Sequence, residues 1–194
     1  MGNRAAYLNR IVTAAGLALG LVMATGALSG PARAADNADP ARLLAELKSD
    51  NPDTWRKAES DLLRLWSKSG SPAMDLLLER GHKALKDGDP KLAVEHLTAL
   101  IDHAPDFAEG YNARARAYFQ QGLFGPALQD IARTLRLNPH QYGALAGLGT
   151  ILEDTGDDKR ALAAYKASAA INPHQSGVNK AITRLEQQAA GQEL

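Results

Sequence analysis

Five histidines and two acidic clusters are the residues of this 194-residue sequence whose types could support catalysis or metal binding. The histidines are His82, His96, His103, His140 and His174. His140 and His174 each sit in the same four-residue word, Asn-Pro-His-Gln. Ligands of one metal ion must lie near 2 Å from it, and these two stand at equivalent points of neighbouring helix pairs, far beyond one coordination sphere. As loop-surface residues they need no metal. No two histidines are spaced i, i+4, as a helical zinc site requires. Glu153-Asp154 and Asp157-Asp158 surround a Gly-containing turn. They lack the alternating oxygen ligands and terminal glutamate of a calcium loop, and turn formation with helix capping accounts for them. No Gly-x-Ser-x-Gly elbow and no phosphate-cradling Gly-rich loop with a following Lys-Ser/Thr occurs. Cysteine is absent, which removes thiolate nucleophiles, thiolate metal sites and disulfides. The sequence is read as non-enzymatic and without cofactor or metal. An enzyme here would need a site without a motif.

The elements that would position any site are written in a period of 34. Gly88, Gly122 and Gly156 are 34 residues apart, as are Ala93, Ala127 and Ala161, and Pro105, Pro139 and Pro173. Gly81, Ala115 and Gly149 keep the same interval. A fixed period in this range marks stacked supersecondary units. Apolar periodicity makes each unit a helix, a tight turn and a second helix. The glycines supply positive φ in the turns, the small residues let paired helices approach, and the prolines stop each second helix. The units run over 74–107, 108–141 and 142–175. Residues 35–73 read as a helix pair, with Trp55, Leu62, Leu63, Leu65 and Trp66 on its apolar side, forming a degenerate unit ahead of the repeats. Residues 176–194 read as a capping helix and tail, since terminal repeats need a polar outer face.

Residues 1–34 carry Arg4 and Arg10, an apolar run from Ile11 to Leu28 and an Ala32-Arg33-Ala34 site. That order is a secretory signal peptide. The chain is therefore expected to be exported to the periplasm, with cleavage after Ala34 and no membrane insertion afterwards. A retained membrane anchor is the other reading of this run, whose length could span a bilayer. Lys plus Arg and Asp plus Glu number 22 each. Loss of Arg4, Arg10 and Arg33 leaves the mature chain at −3, which argues against a nucleic-acid partner.

This pattern resembles the tetratricopeptide repeat family. Unit three carries the family's marks in Leu145, Leu148-Gly149, Leu152, Ala161, Tyr165 and Pro173; unit two carries them in Tyr111, Ala115, Tyr118, Ala127 and Pro139. Arg80 and Arg114 stand where the family places leucine, and their heads are expected at an edge of the helix pair. The words around Phe107–Asn112 and Tyr142–Leu145 also look like a group of exported bacterial repeat proteins. The resemblance implies an all-α, right-handed solenoid of stacked helical hairpins. Its concave groove would be lined by Leu78, His82 and Lys86 in unit one, Glu109, Asn112, Arg116 and Phe119 in unit two, and Ala146, Thr150 and Glu153 in unit three. Some relatives clamp a terminal carboxylate there with Lys and Asn. Leu78, His82 and Ala113 occupy those positions here, which speaks against such a clamp. The implied function is an adaptor in the cell envelope that binds a protein or peptide segment in the groove. The second reading is self-association through Trp55, Trp66 and the N-terminal helices.

Overall fold

A computed structural model of the chain describes residues 39–192, so the expected export segment 1–34 and its cleavage site lie outside the described residues. Nine helices and no strand occur among the described residues: α1 Pro40–Glu46, α2 Pro52–Trp66, α3 Pro72–Lys86, α4 Pro90–His103, α5 Ala108–Gln120, α6 Phe124–Leu137, α7 Tyr142–Asp154, α8 Asp158–Ile171 and α9 Ser176–Gln192. None of them is long and apolar enough to cross a membrane. The fold is an all-α helical repeat array. α3 pairs with α4, α5 with α6 and α7 with α8; successive pairs contact through α4–α5 and α6–α7, and α9 closes the row on α8.

The turn inside each pair is built the same way three times. Gly88, Gly122 and Gly156 have φ of 79°, 70° and 81°, a conformation only glycine adopts without a Cβ penalty. The next residue's N–H then reaches back to a carbonyl five positions earlier, Asp89 to Ala84, Leu123 to Tyr118 and Asp157 to Leu152, at 2.8 to 2.9 Å. This satisfies helix-terminal carbonyls in the manner of a Schellman cap. In units one and three the same residue caps the following helix, because the Asp89 side chain accepts from the Leu92 N–H and the Asp157 side chain from the Arg160 N–H, both at 3.0 Å. One aspartate thus ends one helix and starts the next, which keeps the turn short enough for the helices to lie side by side.

Their closeness rests on small residues in the first helix of each pair. A Cβ on Gly81 would lie 2.6 Å from the Leu97 side chain, and one on Gly149 would lie 2.6 Å from the Tyr165 ring. Ala93, Ala127 and Ala161, on the second helices, are fully buried. Two helices meeting over glycine and alanine bury the larger Leu97, Ile131 and Tyr165 in the space between them.

The N-terminal helices depart from expectation. α1 and α2 pair with each other, but they do not stack ahead of α3 as a degenerate first unit. α2 barely touches α3 beyond the linker. Leu43, Leu47, Ala58 and Leu62 pack instead against Tyr142, with Ile171 and Trp66 at the margin. The hairpin therefore spans from unit one to unit three. The surface α3 offers explains this: it exposes Glu79 and Arg80 beside Leu76, too charged to accept an apolar helix face. The Tyr142–Ile171 surface is apolar. It also supplies two donors to Glu59, the Tyr142 hydroxyl at 3.2 Å and Asn172 Nδ2 at 2.9 Å.

Gly149→Ala is expected to destabilise the fold by about 1–3 kcal/mol, because the Tyr165 ring is overpacked and is tied through its hydroxyl to Thr150 and Glu153. Gly147→Ala, whose Cβ would meet Ile131 at an ordinary 3.8 Å, is expected to be neutral or slightly stabilising from helix propensity. Thermal and urea unfolding of the two variants separates them.

Candidate functional site

The first helices α3, α5 and α7 form the inner wall. A recess of about 720 Å³ along α3 is edged by Leu78, Glu79 and His82, and two more involve α5 and α7. One is an apolar slot of about 90 Å³ between α5 and α7, lined by Ala115, Phe119, Ile131, Ala144, Gly147 and Ile151, with Asn112, Arg116 and Thr150 at its polar margin. The other is a chamber of about 560 Å³. Its walls are His82 from α3, Glu109, Asn112 and Arg116 from α5, and Gln141, Tyr142 and Gly143 at the start of α7. Its roof is α2, through Leu63, Arg64, Trp66 and Ser67 at the helix end. The concave groove is thus covered on one side by the chain's own hairpin.

Glu109 is a strongly perturbed acid in the chamber. One carboxylate oxygen, Oε2, accepts from Asn112 Nδ2 at 3.0 Å and from Gln141 Nε2 at 2.5 Å. The other, Oε1, faces His82 Nε2 at 3.7 Å, beyond hydrogen-bond reach. Burial lifts the Glu109 carboxyl from 4.5 to about 7, against the opposing pull of its Asn112 bond and the Arg116 charge. Burial also holds His82 below its ordinary value, and the nearby Arg116 adds to this. The Nε2 of His82 is buried without a hydrogen-bond partner. Arg116 is exposed and forms no hydrogen bond or ion pair with any described residue. The wall therefore carries an exposed cation, Arg116, between a desolvated acid and an apolar slot.

The expected groove residues divide accordingly. His82, Glu109, Asn112 and Arg116 come together at the chamber, and Asn112, Arg116, Phe119 and Thr150 come together at the slot. Leu78 is only 4% exposed and belongs to the core with Leu97, Leu100 and Ala113. It serves mainly in packing, and contributes only an edge to the recess along α3. Lys86 is exposed at the end of α3 and lines none of these recesses. Ala146 packs into the cluster around Leu152 and Tyr165. Glu153 accepts from the Tyr165 hydroxyl at 3.1 Å and pairs with Arg184 of α9 at 2.5 Å, so its carboxylate is already spent on the capping helix.

Three further assignments change. Arg114 does not rest at an edge. Its guanidinium forms a two-pronged bridge to Asp130 at 2.8 and 2.9 Å and donates to Thr98 at 3.1 Å, with side chains only 16% and 8% exposed. Asp130 raises the Arg114 guanidinium pKa still further. The signal was in the spacing: Arg114 and Asp130 are 16 apart, the interval that sets Leu148 opposite Ala164 in unit three. His174 is not a loop-surface residue, since its ring stacks on Trp55 at 4.4 Å and 8°; His140, its counterpart, is exposed. Gln141, which fixes Glu109, gave no sequence signal, because nothing in an Asn-Pro-His-Gln word distinguishes a buried amide from a loop one.

Glu109 makes stability pH-dependent in a definite direction. The unfolded chain releases this proton near 4.5 and the folded chain near 7. Between those values the unfolded state binds fewer protons, so stability falls as pH rises and levels off above the folded value. Glu109→Gln, which keeps an oxygen acceptor for Asn112 and Gln141, is expected to abolish this decline, worth at most roughly 3 kcal/mol. Urea unfolding at pH 4.5, 6 and 8 reads it.

With this geometry in hand, the likeness to known proteins is specific. The family model described as Tetratricopeptide repeat matches residues 78–133 and 113–176. A tetratricopeptide repeat (TPR)-containing protein from Rhizobium etli is 29% identical over 151 residues, covering 77% of this chain and 74% of that protein. Among solved structures, the Arabidopsis OM64 TPR domain superposes with a TM-score of 0.58 at 25% identity, covering 60% of this chain and 96% of the domain. The first TPR of Spaghetti (RPAP3), bound to the HSP90 peptide SRMEEVD, superposes with a TM-score of 0.59 at 23% identity, covering 62% and 95%. Matched over half its length by the family model, with the periodic glycine turns and close helix contacts observed directly, the chain belongs to the tetratricopeptide repeat family.

Proposed function

We propose that this chain is a non-enzymatic protein-interaction module that binds a peptide or protein segment on its concave wall and serves as an adaptor in the cell envelope. The observation that carries the reading is Arg116, an exposed cation that makes no hydrogen bond with any described residue, beside an apolar slot floored by Ile131 and edged by Phe119. Such a pairing takes an apolar side chain in the slot and a polar or acidic group at its margin, as peptide grooves do. The peptide held by the structurally similar first TPR of Spaghetti supports a binding role for this wall. The location rests on residues 1–34, whose basic start, apolar run and Ala-x-Ala site have the form of an export signal.

Arg116→Ala combined with Phe119→Ala is expected to abolish capture of the partner from an envelope extract while leaving helicity by circular dichroism unchanged. Undiminished capture moves the binding face away from the slot. Intact-mass measurement of the chain recovered from the periplasm is expected to give a mature protein starting at Ala35; a chain still carrying residues 1–34 removes the export-and-cleavage reading.

A further inference from the structure

We infer that the surface holding α2 is a helix-binding site, and that the partner reaching the concave side does so with an amphipathic helix that exchanges with α2. This rests on the concave side being the partner-binding face, and it specifies what occupies it. The chain displays the recognition pattern on itself. Trp55, Glu59, Leu62 and Trp66 fall at i, i+4, i+7 and i+11 of α2 and make one stripe. Every member of that stripe is met by the far end of the array. The Trp55 ring stacks on His174. Glu59 accepts from Tyr142 and Asn172. Leu62 is fully buried in the cluster containing Tyr142, and the Trp66 ring lies 5.6 Å from the Tyr142 ring. The site is thus an aromatic floor with one acid-binding position, and the helix that fits it carries two aromatics with an acid and a leucine between them.

Three features make the occupant exchangeable. α2 is tied covalently to unit one through the linker Ser67–Ser71, and its hold at unit three is non-covalent: the Trp55–His174 stack, the Glu59 hydrogen bonds and the Trp66–Tyr142 ring contact. The linker bends at Gly70, with φ of 85°, and is anchored on its own side by Ser69 N–H and hydroxyl bonds to Asp75, both at 2.8 Å. The hairpin can therefore swing while its attachment persists. Release also uncovers the chamber around His82 and Glu109, because α2 is its roof. A short tether gives α2 a millimolar-range effective concentration, so a partner helix must outcompete it, and its apparent affinity is reduced by the closed fraction.

The experiment uses the full mature chain and, as probe, a fluorescently labelled synthetic peptide with the sequence of Pro52–Trp66. Wild type is expected to bind the probe weakly. Glu59→Ala in the chain loosens the strap and leaves the receiving surface intact, so it is expected to bind the probe about fivefold tighter or better. Trp55→Ala serves as a second opening variant, with circular dichroism checking that both remain folded. Adding His174→Ala to either is expected to cancel the gain. Equal binding of the probe to wild type and both opening variants, persistence of the gain with His174→Ala, or equal binding of a control peptide lacking the Trp55 and Glu59 side chains overturns the inference. The Phe119→Ala variant keeps the two failures apart, because Phe119 lines the slot and not the chamber roofed by α2. It leaves probe binding unchanged if the helix site stands, whatever it does to partner capture.

Discussion

Close approach of two helices over a small residue is the contact on which the rest of this structure depends. Gly81 lies under Leu97 and Gly149 under Tyr165, each at a distance that leaves no room for one more carbon. In unit two, Ala115 faces Ile131 in the same position. The packing follows a volume rule: where the first helix gives up its side chain, the second fills the space, and interiors tolerate neither voids nor overlap. Once the pair is locked this way, the interhelical turn has to be short. That requires a residue with positive φ at Gly88, Gly122 and Gly156, and an acid able to cap the next helix one residue later in units one and three. The repeat period is the length of chain needed to meet these demands once.

Unit two satisfies them with a different interior. Where unit three has Leu148, unit two has Arg114, and the facing helix supplies Asp130 with the geometry of a two-pronged bridge. A buried guanidinium is costly unless every donor finds an acceptor; Thr98 takes another of them, and the Tyr111 and Tyr118 rings flank the cation at 5.8 and 5.7 Å. The central pair thereby acquires a polar core between two apolar ones. Its inner face carries Glu109 and Arg116 where unit one has Asp75 and His82 and unit three has Gly143 and Thr150. The candidate site lies on the unit whose charges are hardest to satisfy.

The hairpin α1–α2 turns an open array into one with a covered wall. Its apolar stripe could not be buried on α3, which exposes Glu79 and Arg80, so it found the Tyr142–Ile171 surface two units away. Desolvation of Glu109 and His82 accompanies that cover. The aromatic residues on which self-association through the N-terminal helices would rest, Trp55 and Trp66, are engaged inside the chain.

Within the repeats, the residue pattern alone makes the helices, their pairing and their order legible. These follow from contacts between residues 16 or 34 apart, and a periodic pattern records such contacts at every repeat. Gly149, Gly156 and Ala161 could each be assigned a mechanical role before any coordinate was known, because glycine and alanine act through local sterics. Six of the groove positions that the family resemblance implied, His82, Glu109, Asn112, Arg116, Phe119 and Thr150, line a recess of the inner wall. Only the tertiary structure decided what covers that wall. The bond from Glu59 to Asn172 joins residues 113 apart and occurs once, so no period encodes it. The fates of Leu78, buried against Leu97, and of Glu153, taken by Arg184, were likewise decided by which neighbour came within reach. Helical phase fixes the direction of a side chain, while its burial and its partner depend on what the rest of the chain places opposite.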